Sequence, residues 1–179
     1  MKIAIRRGHQ RTGQDIGAQA LLKEIDVTDS YYKEVIDILK KLGHEVLDVT
    51  PPEANRTVGN SLMYGIDKAN KWGANLFISC HANKAYNKYE GELGCEVIYY
   101  PSSKKGKDYA IKIEKELSKL GFKSRGAKED KRGLAELRLT NMAAVIIEPF
   151  FIEATEDVKL YERIGAKAIA KAIVTGILR

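Results

Sequence analysis

Apolar and polar positions alternate in blocks along the chain, and the blocks read in turn as strands and helices. Lys2 to Arg7 is a short apolar strand that stops at Gly8, and a polar, glycine-containing loop follows from Gln10 to Gly17. The helical spacing of Tyr32, Val35, Ile36, Leu39 and Leu42 predicts an amphipathic helix, with Thr28, Asp29 and Ser30 as candidate N-caps and Gly43 as its stop. His44 to Val49 predicts a second strand, closed by Pro51-Pro52, and a helix around Ser61 to Lys71 presents Leu62, Ile66 and Ala69 on one face. Asn75 to Cys80 is a near-continuous apolar run, the pattern of a central strand buried on both sides. Leu93 to Tyr100 reads as another strand and Asp108 to Leu120 as an amphipathic helix ended by Gly121, with Lys104-Lys105-Gly106-Lys107 as a solvated basic loop before it. Ala135 to Leu139 and Ala143 to Ile147 read as two more strands, and Thr155 starts a last helix on Val158, Tyr161, Ile164, Ala168, Ile169 and Ile173.

Helices between apolar strands predict an α/β fold: one domain over residues 1–179, with a twisted β-sheet flanked by helices. The sheet is expected to be mixed, because the last two strands lie too close together for a helical crossover. Composition narrows the class further. At 44% hydrophobic and 30% charged, the chain has the balance of an ordinary globular protein and excludes disorder or a coiled coil. No apolar run approaches the roughly 20 residues that span a bilayer, so no membrane insertion is expected. The stretch Met1 to Arg7 is too short for a signal peptide, which predicts synthesis in the cytoplasm without one. Cys80 and Cys95 are too few for a disulfide framework and read as free thiols filling space in strands. The net charge of +6 favours polyanionic partners such as nucleic acid, an anionic wall or a membrane surface. Nucleic acid is disfavoured, because the basic residues are scattered and not interleaved with aromatic stacking platforms.

The chemistry collects at strand ends. His9 follows the first strand, His81 follows the Asn75–Cys80 strand, and Glu148 ends the apolar run from Ala143 to Ile147. Ligands of open α/β sheets bind outside the carboxyl ends of the strands, so these three groups can meet in one crevice. Two imidazoles and a carboxylate with one open position make a catalytic zinc site, in which bound water is acidified into a nucleophile. A second carboxylate, not a ligand, must then carry the proton to the leaving group. Glu148 is one of the two carboxylates; Glu24, Asp26 and Asp29 are candidates for the other. Each residue also has a plainer role: a histidine after a strand is often a hydrogen-bonded turn residue, Asp26 and Asp29 can cap the first helix, and Glu148 can be a paired structural acid. Cys80 cannot share a metal with His81, because adjacent strand residues point to opposite faces.

Three segments occur in order and at fixed separation: Lys2-Ile3-Ala4-Ile5-Arg6-Arg7-Gly8-His9, Ser79-Cys80-His81-Ala82-Asn83, and Asn141-Met142-Ala143-Ala144-Val145-Ile146-Ile147-Glu148. Together they resemble the zinc-dependent N-acetylmuramoyl-L-alanine amidases of the amidase-3 type, most closely the catalytic domains of endolysins from phages of Gram-positive bacteria, over essentially the whole chain. The resemblance implies one zinc ion held by His9, Glu24 and His81, with Glu148 as catalytic acid/base, and it favours Glu24 over Asp26 and Asp29. It implies cleavage of the amide between N-acetylmuramic acid and L-alanine of the stem peptide, with Asn83 and Arg138 as substrate-binding candidates. The implied partner is the peptidoglycan of a Gram-positive cell wall, met by a monomer after release from the cell. No wall-binding domain is visible in the sequence. Two other readings use the same residues differently: a zinc peptidase cutting within the stem peptide, and a wall-binding module without catalysis.

Overall fold

The computed structural model describes residues 1–54 and 56–179. Four strands run parallel, β1 (Lys2–Arg7), β2 (Glu45–Asp48), β3 (Leu76–Cys80) and β6 (Ala143–Glu148), and two run the opposite way, β4 (Cys95–Tyr99) and β5 (Ser124–Glu129). Their order across the sheet is β2-β1-β3-β6-β4-β5. Helices α1 (Glu24–Lys41), α3 (Lys104–Ser118) and α6 (Ala166–Leu178) cover one face, where Ile3, Ile5, Ile78, Val145 and Ile147 meet Tyr31, Val35, Ile113 and Ile173. The short α5 (Thr155–Ile164) adds Val158 to the same cluster. On the other face α2 (Val58–Trp72) and α4 (Ala135–Arg138) cover a smaller cluster built on Ala4, Phe77, Ala144 and Ile146.

The period of two along each strand explains why this second face carries the chemistry. Ala4 is followed on its face by Arg6, Phe77 by Ser79 and His81, and Ile146 by Glu148. The face therefore turns from apolar to polar at the carboxyl ends of β1, β3 and β6. Cys80 packs in the large cluster on the opposite face, and both Cys80 and Cys95 are buried free thiols. Burial pushes both thiols well above their ordinary pKa.

Several sequence expectations need correction. The first helix begins at Glu24, so Thr28, Asp29 and Ser30 lie inside it rather than capping it. Its N-cap Lys23 makes no side-chain bond; instead the loop supplies a partner, Glu24 N–H donating to Ala18 O at 2.9 Å. The run from Lys104 to Lys107 is the first turn of α3, where the Ser103 hydroxyl accepts from Gly106 N–H. Ala135–Arg138 is a helical turn, not a strand: consecutive Glu136 and Leu137 are both buried, which strand alternation would not allow on a one-sided surface. The sheet is mixed as expected, but the cause is the antiparallel pairing of β4 with β6. Strand β5 escapes a hydrophobic scan because its sequence, Ser-Arg-Gly-Ala-Lys-Glu, belongs to a polar sheet edge. The final helix breaks at Gly165 into α5 and α6.

Candidate metal centre

Neighbouring strands bring the separated residues together. Gly8 N–H donates to Cys80 O at 2.7 Å and His81 N–H donates to Ile147 O at 3.0 Å, so the ends of β1, β3 and β6 are laced side by side. His9 leaves β1 with φ 63°, a left-handed conformation that a non-glycine residue seldom adopts and that commonly marks a functional position. Glu24 enters from the other side as the first residue of α1. Its Oε2 accepts from Ala18 N–H at 2.9 Å, while Oε1 lies 3.0 Å from His81 Nδ1 and 3.4 Å from His9 Nε2. One donor atom from each of His9, Glu24 and His81 falls within 4.8 Å of the others, the one such cluster among the described residues. Asp26, by contrast, is exposed and paired with Arg11 at 2.7 Å, and Asp29 is paired with Arg7 at 3.0 Å. The structure thus gathers Glu24, and neither aspartate, against the two imidazoles.

The donor chemistry suits a divalent cation. A His₂Glu set is that of catalytic zinc sites, and both imidazoles have their outer nitrogens engaged, His9 Nδ1 on Asp15 Oδ1 at 2.8 Å and His81 Nε2 at 3.1 Å from Ser79 Oγ. The inner nitrogens are left facing Glu24. Partial exposure of the two imidazole side chains, 26% for His9 and 14% for His81, leaves a route for an ion and for substrate. The local field also demands positive charge. Burial opposes a charged His9, yet its hydrogen bonds to Asp15 and Glu24 outweigh that cost and push its pKa up to about 10. Burial works against the carboxylates too, but His9, Ser61 and Arg6 hold Asp15 down to about 2, and His81 and His9 hold Glu24 well below the usual carboxylate range.

Glu148 borders the same cavity, which has a volume of about 300 Å³ and is also lined by Asn83, Leu62, Arg132 and Glu136. Burial first, and then the negative charges of Glu24 and Glu96, push the Glu148 carboxyl well above its ordinary pKa. Its Oε2 is buried and has no hydrogen-bond partner among the described residues. An acid in that state can take up or give up a proton at a reacting group. Asn83 donates from Nδ2 to Glu96 Oε1 at 2.9 Å, and Glu96 also accepts from Arg125 at 2.7 Å, so the amide is fixed at the cavity wall. Arg138 is exposed at the end of α4 and does not line the cavity. Asp15, Arg6, Ser79 and Glu136 were not legible as site residues; the signal for Asp15 was an acid six positions after a candidate ligand histidine, within reach of its second nitrogen.

Gly8 is required by this packing. A Cβ there would lie 2.5 Å from His81 Cε1 and 2.6 Å from both His81 Nδ1 and Cys80 O. Gly8→Ala is expected to push the His81 ring aside, lowering stability by about 1–3 kcal/mol and weakening metal binding at least tenfold, toward the roughly 10–100-fold cost of losing an orienting contact. Thermal denaturation and competition with a chromophoric chelator check both effects, and wild-type affinity would contradict the packing described.

The chain as a whole is similar to known proteins. Residues 3–179 match the amidase-3 family, described as N-acetylmuramoyl-L-alanine amidase. An uncharacterised protein of Clostridium perfringens strain 13 is 42% identical over 178 residues, which cover 99% of this chain and 51% of that protein. The endolysin of Bacillus phage SPP1 is 31% identical over 159 residues, covering 84% of this chain and 55% of the endolysin. Among solved structures, the catalytic domain of an endolysin targeting Clostridium difficile superposes with a TM-score of 0.87 at 36% identity, covering 99% of this chain and 97% of that domain. The chain spans about half the length of the first curated relatives it matches.

Proposed function

Because the chain belongs to the amidase-3 family of N-acetylmuramoyl-L-alanine amidases, we propose that it hydrolyses the amide joining N-acetylmuramic acid to the L-alanine of the peptidoglycan stem peptide. His9, Glu24 and His81 hold one zinc ion, and Glu148 is the catalytic residue. The observation that carries this reading is the convergence of two imidazoles and a carboxylate beside a buried, unpartnered acid in one cavity. When bound, zinc supplies Lewis-acid chemistry, acidifying water and polarising a carbonyl. Glu148 takes the proton of the attacking water and delivers it to the departing alanine nitrogen; its raised pKa suits both halves of that transfer. The cavity is small, at the lower end of ligand pockets, so it holds the reacting amide and its neighbours while the polymer runs outside. Asn83 orients the substrate at the wall of the cavity, and Arg138 meets only a part of the stem peptide that extends beyond it.

Relatives from Clostridium and from a Bacillus phage support a Gram-positive wall as the source of substrate. In this reading the chain acts as a monomer. It reaches the wall after release from the cell; among the described residues no helix is long and apolar enough to cross a membrane. Digestion of purified peptidoglycan tests the reaction. New N-terminal alanine without new reducing ends is expected. Other new N-termini would mean a peptidase built on the same centre, and retention on wall fragments without products would mean a binding module.

A further inference from the structure

Behind the metal-facing donors lies a buried charge cluster that the reaction above does not use. Arg6 is 1% exposed, among the largest fully buried side chains of the protein. Its Nη2 donates to Asp15 Oδ2 at 3.0 Å and to Ser61 Oγ at 2.9 Å, and its Nη1 lies 3.2 Å from Glu136 Oε1. Asp15 accepts from His9 Nδ1. Glu136, 3% exposed, accepts from the Ser79 hydroxyl at 3.1 and 3.0 Å, and Ser79 Oγ stands 3.1 Å from His81 Nε2. A continuous polar path therefore runs from one imidazole to the other through a single guanidinium.

The donor and acceptor inventory gives this path a direction. Arg6 only donates, and the ionised carboxylates only accept. Glu136 draws the one hydroxyl proton of Ser79, so the serine offers a lone pair to His81, and the proton of that ring must sit on Nε2. Asp15 in the same way requires the proton of His9 on Nδ1. In the neutral rings that a bound cation requires, the lone pairs are then left on His81 Nδ1 and His9 Nε2, the two atoms that face Glu24 Oε1. A buried ion-pair cluster is a weak source of stability, because desolvation offsets its attraction. The fold nonetheless makes room for it, since a Cβ at Gly65 would lie 3.1 Å from Arg6 Cδ.

We propose that Arg6 is a positioning residue of the metal centre, acting on His9 through Asp15 and on His81 through Glu136 and Ser79, so that one buried guanidinium fixes the tautomers of both imidazoles. The inference rests on the reading of His9, Glu24 and His81 as metal ligands.

The test uses the whole chain as wild type, Ser79→Ala, Glu136→Gln and Arg6→Lys, each labelled with ¹⁵N-histidine. Zinc affinity is read by chelator competition and the tautomers by imidazole nitrogen shifts of the zinc-loaded protein. Ser79→Ala and Glu136→Gln are expected to weaken zinc binding by about 10–100-fold, the usual cost of losing a partner behind a ligand, and to alter the His81 signals alone. Arg6→Lys keeps the charge but loses the fork, and is expected to alter the signals of both histidines. Near wild-type affinity with unchanged signals in these variants would overturn the proposal. If Arg6→Lys fails to fold, Ser79→Ala and Glu136→Gln decide, and unchanged His81 signals in both would overturn it. A wild-type chain that binds no zinc would instead overturn the ligand reading beneath it.

Discussion

Glu148→Gln is expected to keep the fold and the metal while losing about 10²–10⁴-fold in amide hydrolysis, the range associated with a positioned acid/base. The amide has the shape of the carboxyl group but cannot carry a proton from water to a leaving nitrogen. The same substitution has a signed effect on stability. Burial, and then Glu24 and Glu96, raise the folded pKa of Glu148 above its ordinary value of 4.5. The folded state therefore holds this proton more tightly than the unfolded chain. Below pH 4.5 the group is protonated in both states and costs nothing; as pH rises from there toward the folded pKa, it destabilises the fold progressively. In metal-free protein Glu148→Gln removes that penalty, so the variant should gain stability over wild type as pH increases through that window. Denaturant titration across pH reads the stability effect, and turnover on peptidoglycan reads the catalytic one. Wild-type-like turnover would remove Glu148 from its role.

His81→Ala is expected to abolish stoichiometric zinc and, with it, hydrolysis. The ring supplies one of the three gathered donors, and its Nδ1 lies 3.0 Å from Glu24 Oε1. Since loss of a partner behind a ligand already costs about 10–100-fold in metal affinity, loss of the donor itself should exceed about 100-fold. The fold should survive, because the partly exposed side chain lines the cavity and the strand end is held through the backbone, His81 N–H donating to Ile147 O. Elemental analysis after gel filtration gives the zinc content, and full occupancy would show that His81 is not a ligand.

The strands that position the centre were legible because their residues obey simple burial rules. Leu76 to Cys80 is buried at every position, and the apolar run into Glu148 is buried throughout. Their polar successors, His81 and Glu148, stood out against that background, as did His9 after β1. What escaped was decided by tertiary partners. The start of α1 is set by a backbone bond from Glu24 to Ala18, which no capping residue announces. Spacing favoured Glu24 over Asp26 and Asp29 only weakly, and the resemblance strengthened that choice, since the loop that turns its carboxylate inward has no periodicity to read. Ala135–Arg138 looked like a strand because a four-residue segment is too short to display a helical period. That misreading hid Glu136, whose burial beside Arg6 depends on the helical turn. The burial of Arg6, in a strand ending Arg6-Arg7, has no signal in the sequence; it follows from a loop and two helices closing around the side chain with Asp15, Ser61 and Glu136.

The most direct test of the central claim is metal restoration. The chain is stripped with a chelator, freed of it, and titrated with zinc while release of N-terminal alanine from peptidoglycan is followed, with His81→Ala alongside. The His₂Glu centre predicts no release from the stripped protein, recovery that saturates at one zinc per chain, and no recovery in the variant. Undiminished release by the stripped protein, or full recovery of His81→Ala, would contradict it.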